Sequence, residues 1–182
     1  MTPRSPGCAG WFSDSLPMEI FAWTAAVPSM AGMFSFKTPD LTQYPPRSPR
    51  IRLGGYVALP RILDKARAHL AGTAGEYKWN NPLDQRFLTF TGISVEAFLA
   101  AVKTGRTDSA MVEWIAGAQK NPRQAWEIAA WSHWLETLAP GDAKRHGIFA
   151  EEITRHCPTR DDIRTLFERL DLDDYVSFGG AA

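Results

Sequence analysis

The chain reads as all-α: a compact, bundle-like single helical domain over residues 37–180, with an extended Pro/Arg-rich N-terminal arm and at most a small β element. Three observations predict this. Apolar residues recur at helical spacing in about seven segments, most segments open on a capping residue and close on Gly or Pro, and the connections between them are short. A chain of 182 residues, 45% of them hydrophobic, can build one core that buries roughly 70% of its unfolded surface.

The arm comes first. Pro39, Pro45, Pro46 and Pro49, followed by Gly54-Gly55, exclude a regular helix over residues 38–56. Pro60 then suits a first helical position, and Leu59, Ile62, Leu63, Ala66 and Leu70 form an apolar face closed by Gly72. Residues 75–80 read as a short strand or a turn. Asn81-Pro82 is an N-cap followed by N1, opening a helix that ends before Gly92. Ser94 starts the next, with Ile93 and Phe98 at staple positions and Gly105 at its end. Asp108 is expected to cap a fourth helix carrying Met111, Val112, Trp114 and Ile115.

Asn121-Pro122-Arg123-Gln124 repeats the Asn-Pro start, and the helix it opens is expected to be the longest. Trp126, Ala130, Trp134 and Leu138 recur every fourth residue there, Trp131 and Leu135 widen the stripe, and core packing is the expectation for most of these aromatics. A sixth helix covers residues 142–157 up to Pro158, and a seventh begins near Thr159 and Asp162 with Ile163, Leu166, Phe167 and Leu170 on one face.

Residues 1–36 are expected to be disordered or a non-native extension from an upstream start codon, with Met30 and Met33 just ahead of the better organised sequence. The apolar run 20–27 is too short to span a bilayer, and Asp14 and Glu19 before it make a poor secretory signal. With 20 Lys plus Arg against 20 Asp plus Glu, there is no global field to attract nucleic acid or an anionic membrane. Cys8 and Cys157 stand near opposite ends, which fits a reducing cytoplasmic setting better than a disulfide framework.

Signatures of phosphate loops, dinucleotide folds, serine hydrolases and zinc proteases are missing. Asp171-Leu172-Asp173-Asp174 fails as a calcium loop because Val176 stands where Gly is required, and His146, His156 and Cys157 match no metal-ligand spacing. No metal or cofactor is expected.

One constellation stands out: Pro45-Pro46-Arg47-Ser48-Pro49-Arg50-Ile51-Arg52-Leu53-Gly54-Gly55-Tyr56. In an extended arm residues 50 and 52 project to one side, and the two glycines allow close approach by a ligand or another segment. Guanidinium groups held there would grip a phosphate or carboxylate bidentately. The competing role, given more weight, is internal: the arginines clamp the arm to Asp64, Asp84 or the Asp171–Asp174 cluster. Asp64 and Lys65 adjoin the core face of the first helix, where a surface ion pair with Arg67 is the ordinary expectation. Asp84-Gln85-Arg86 form another polar group, and free N–H groups after Asn81 could receive an anion near Glu76, Tyr77 and Trp79.

Asp40-Leu41-Thr42, Pro45-Pro46-Arg47-Ser48-Pro49-Arg50, Leu53-Gly54-Gly55-Tyr56, Leu59-Pro60-Arg61, Leu63-Asp64-Lys65-Ala66-Arg67, Gly75-Glu76-Tyr77, Asn81-Pro82-Leu83-Asp84-Gln85-Arg86-Phe87 and Leu170-Asp171-Leu172-Asp173-Asp174-Tyr175 resemble, in order, the family called domain of unknown function 5069. The likeness runs over about residues 40–180 and is looser between 105 and 155. Where the family tends to have Tyr-Asn-Cys, this chain has Trp79-Asn80-Asn81, so no role of that cysteine carries over. The resemblance implies a cytoplasmic bacterial protein that folds independently, and it implies no reaction or cofactor.

The leading expectation is a binding module for a small anionic ligand or acidic peptide, using Arg47, Arg50, Arg52, Tyr56, Asp64, Lys65 and Asn81. The alternatives are an interaction domain presenting its Trp-rich helices over residues 108–139, and an enzyme using Asp64 and Glu76 as acid and base.

Overall fold

The structure is a computed structural model, and it describes residues 38–180. The expectation for residues 1–36 falls outside them. After the arm, two short strands, β1 (Arg52–Leu53) and β2 (Tyr56–Val57), pair antiparallel with Arg52 opposite Val57 and Leu53 opposite Tyr56. Gly54 and Gly55 form the two-residue connection at φ 57° and 83°, the left-handed conformation such hairpins require. Seven helices follow: α1 (Leu59–Ala71), α2 (Pro82–Thr91), α3 (Val95–Lys103), α4 (Asp108–Ala118), α5 (Ala125–Glu136), α6 (Ala143–His156) and α7 (Leu166–Ser177).

The main core gathers the hairpin, α1 to α5 and the start of α7 around Val57, Leu59, Phe87, Phe98, Met111, Leu135 and Phe167. Tyr56 sits edge-on to Phe87 at 5.3 Å, and Phe90 stacks on Trp131 at 4.9 Å, so these rings build the core through edge and stacking contacts. A smaller cluster of Ile153, Cys157 and Leu172 joins α6 to α7.

The glycine turn allows a close approach, and the partner is the protein itself. A Cβ on Gly54 would lie 2.8 Å from Val112 Cγ1, and one on Gly55 would lie 3.2 Å from Ile128 Cγ2. Ser132 fixes the same turn by donating to the Gly55 carbonyl at 2.9 Å and accepting from the Val57 N–H at 3.3 Å. Gly54→Ala combines a left-handed backbone with this clash, so it should cost about 1–3 kcal/mol. The check is the urea midpoint, with Val112→Ala in the same chain expected to return part of the loss.

Several boundaries differ from the sequence reading. α4 is capped by Thr107, whose hydroxyl accepts from Ala110 N–H at 3.1 Å, and this releases the Asp108 side chain for ion pairing. Residues 121–124 are not helical; α5 opens after Gln124, whose N–H donates to Glu127 at 2.8 Å. It has 12 residues, against 14 in α6 and 13 in α1. α7 starts at Leu166 behind a Thr165/Glu168 capping box and not near residue 159, because that box satisfies N–H groups at 164 and 165 that Asp162 does not reach. Residues 75–80 make turns, with Asn80 at φ 64°. Leu70 ends the α1 stripe exposed, and the every-fourth ridge of α5 is likewise outward: Trp126 is 72% and Trp134 48% exposed, while Trp131, Ser132 and Leu135 turn inward.

Candidate functional site

Three charged clusters tie α1 to its neighbours: to the arm and α4, to α7, and to α2. The arm carries the first. Arg47 donates from Nε and Nη2 to the two oxygens of Asp64, both at 2.8 Å, and from Nη1 to Asp108 at 2.6 Å. Its backbone N–H also reaches Asp64, at 3.1 Å, and Nη2 reaches the Pro60 carbonyl at 3.2 Å. Arg67 holds the other oxygen of Asp108 at 2.7 Å. Burial would raise the Asp108 carboxyl, but the hydrogen bonds and charges of Arg47 and Arg67 together outweigh it and hold the group below its ordinary value.

The second cluster is buried. Arg61 forks onto Asp174 of α7 at 2.5 and 3.0 Å, and Tyr77 donates to the same carboxylate at 2.8 Å. Burial and then the Asp174 carboxylate push the Tyr77 phenol upward, which keeps it a donor. In the third cluster Lys65 Nζ lies 2.6 Å from Asp84, with side chains 1% and 0% exposed. Burial lowers Lys65 and raises Asp84, and their attraction opposes both shifts. The second oxygen of Asp84 accepts from Asn81 N–H at 3.2 Å, while Asn81 Oδ1 accepts from Leu83 and Asp84 N–H at 3.0 and 3.1 Å. The N–H groups expected to receive an anion here are therefore filled by this capping box.

Arg50 and Arg52 diverge rather than sharing a side. A turn from Ser48 to Ile51 breaks the alternation, sending Arg50 to Asp171 and Glu168 of α7 at 2.9 and 3.5 Å and Arg52 to Glu136 of α5 at 2.6 Å. Tyr56 is a core residue whose hydroxyl accepts from Gln119 at 3.0 Å. Asp64 pairs with the arm through Arg47.

Two adjoining cavities lie on the other side of α2. One, about 360 Å³, is bordered by Arg61, Lys65, Glu76, Tyr77, Asn81 and Asp173 among others. The other, about 460 Å³, is walled by Leu138, Ile148, Phe149 and Leu166, with Arg145 and Glu152 at its edge. Pro82, Arg86, Leu166 and Arg169 border both, making one continuous groove. Arg169 is neutralised by Glu152, and Arg145 lies 3.4 Å from Asp142. Arg86 meets only the Pro82 carbonyl at 3.5 Å, with no carboxylate within ion-pair reach among the described residues. The sequence marks Arg86 as part of a polar group. Its place beside α6 and α7 depends on tertiary packing that no local pattern reveals. Among the described residues, no helix is long and apolar enough to cross a membrane.

The family described as domain of unknown function (DUF5069) matches residues 43–176. The match spans most of the chain, and the chain belongs to this family. No curated protein matches it.

Proposed function

We propose that this member of the DUF5069 family is a binding module for a small organic anion, seated in the groove between α2, α6 and α7 with Arg86 as its anchor. The observation that carries the reading is a partly buried arginine that has no carboxylate partner among the described residues, standing where an apolar cavity opens. A carboxylate or phosphate would meet Arg86 bidentately, and an aryl or acyl body would bury against Leu138, Ile148, Phe149 and Leu166. Glu76 and Asp173 border the neighbouring cavity, so like-charge repulsion keeps the anion's charged group from passing beyond Arg86 into it. The arm arginines serve as clamps: Arg47 spends its donors on Asp64, Asp108 and Pro60.

The test is thermal unfolding with benzoate, octanoate and phenyl phosphate. A ligand at ten times its Kd should add about 1.4 kcal/mol, or roughly 3–6 °C. Arg86→Ala should abolish that shift without lowering the unliganded midpoint appreciably, and Arg50→Ala should keep it. A shift that survives Arg86→Ala, or that Arg50→Ala removes, would refute the assignment.

A further inference from the structure

Residues 139–165 leave the core and return to it at one point. Leu166 N–H donates to the Leu138 carbonyl at 2.8 Å, so the two ends of the excursion are stitched together where α5 has just ended and α7 begins. The sequence explains both the departure and the return. Pro140-Gly141 breaks the helical run on the way out, Pro158 stops α6 on the way back, and residues 158–164 are neither helix nor strand. Between these breaks α6 is thinly held. Of its 14 residues only Ile153 is buried, and it rests on α7 through Phe149, Ile153 and Cys157 against Leu172 and Val176. An ion pair from Glu152 to Arg169 joins the same two helices, with both side chains partly exposed. A segment with so little buried apolar contact opens at a fraction of the free energy that unfolds the whole domain.

The apolar cavity of about 460 Å³ lies in the crook of this hinge. Leu138, Pro140 and Leu166 line it at the hinge, Ile148 and Phe149 line it from α6, and Arg86 stands across from them on α2. Arg145, Ile148, Phe149 and Glu152 share one face of α6 by their i, i+3, i+4 spacing, and the Phe149 edge of that face is the part that packs toward α7. Ile148 is left overhanging the cavity at 49% exposure.

We propose that residues 139–165 form a flap that gates the groove, hinged where Leu138 meets Leu166 and latched by Glu152 on Arg169. The proposal rests on the groove being the seat of the anion anchored by Arg86. Swinging α6 outward breaks the Glu152–Arg169 pair, draws Phe149 and Ile153 off α7 and widens the entrance past Ile148. Arg169 borders both cavities, so the latch stands on the path an entering anion takes. Closing the flap over an acyl or aryl body buries Ile148, apolar area otherwise left in water. A bound ligand therefore holds the flap shut, as lids that sequester ligands do.

Cys157 reports this motion. It is a free thiol, fully buried at the end of α6 beside Ile153 and Leu172, and opening the flap uncovers it. In the full chain carrying Cys8→Ser it is the one remaining cysteine, and its rate of labelling by N-ethylmaleimide is the measurement. That rate should stay nearly constant up to about 1 M urea, because a hinge motion exposes little new surface, and Gly54→Ala in the hairpin should leave it unchanged. Glu152→Lys should raise it roughly threefold or more, and combining Glu152→Lys with Arg169→Glu should bring it back. Octanoate at ten times its Kd should slow it about tenfold. Labelling that accelerates with urea and with Gly54→Ala in step with global unfolding overturns the flap, and so does a rate that Glu152→Lys leaves untouched. Octanoate that raises the melting temperature without slowing Cys157 overturns the gate while the groove reading stands. No melting shift with benzoate, octanoate or phenyl phosphate sinks the groove reading and the gate with it, and the ligand-free rates then still decide the hinge.

Discussion

Asp84→Ala is expected to destabilise the fold by about 3–5 kcal/mol, the cost of leaving a buried ammonium without its counter-ion, with about 1 kcal/mol more from the broken capping box. Lys65, 1% exposed, has no other carboxylate within ion-pair distance among the described residues. Replacing both members, as Lys65→Met with Asp84→Leu, should recover most of the loss, because a buried pair contributes little beyond its own desolvation. The capping share should stay lost. Lys65→Met alone should make stability depend on pH in a defined sense. Asp84 already titrates above its ordinary 3.8 when folded, so the folded state binds its proton more readily than the unfolded chain. Stability of that variant is therefore present at low pH and declines as the pH rises through the raised folded value. Urea midpoints of the four chains between pH 4 and 8 check both claims, and a double variant as unstable as Asp84→Ala would disprove the pairing argument.

Arg47→Ala should cost about 2–4 kcal/mol, since it strips the arm's clamp and leaves Asp64 and Asp108 competing for too few donors. Arg47→Lys should recover little, because an ammonium cannot fork onto Asp64 while also reaching Asp108. Acid titration adds a second reading. The Asp108 carboxyl is held below 3.8 in the folded state, so the stability it supplies is in place above that value and is lost as the pH falls through the depressed folded one. In Arg47→Ala this acid-dependent loss should shrink but persist, because Arg67 still holds the other oxygen at 2.7 Å. Denaturant unfolding from pH 7 to 3 resolves the slopes.

The mainly helical fold was legible because its signals are local. Pro60, Asn81-Pro82, Gly72 and Gly92 punctuate helices through their own dihedrals and donors, and the structure places α1 and α2 where they say. The ends that moved depended on choices between neighbouring caps. Thr107 and Asp108 are both competent, and Asp108 was drawn away by two arginines from distant segments. The α5 stripe faces outward against expectation because an every-fourth ridge describes one line on a helix without saying which way it faces. Trp126 and Trp131 are equally apolar, and only the hairpin beneath Trp131, Ile128 and Leu135 decides the matter. The internal partners of the arm are partly visible in sequence: Asp64 and Asp171 lie in polar groups that suit an arginine, whereas Asp108 reads as a helix cap. Arg61 and its carboxylate at Asp174 are separated by 113 positions, and no pattern within one helix could have joined them.

That last separation bears on synthesis as much as on stability. Arg61 becomes buried against α7, so until residue 174 has emerged from the ribosome the nascent chain holds a guanidinium that its other elements cannot neutralise in place. The first five helices can collapse around their shared core during translation, but α6 has its apolar partners on α7 and closure waits for the seventh. A chain cut at Pro158 should therefore be a target of cellular proteases despite retaining most of its apolar core, and the rate at which the final turns of α7 are delivered sets how long that vulnerable state lasts.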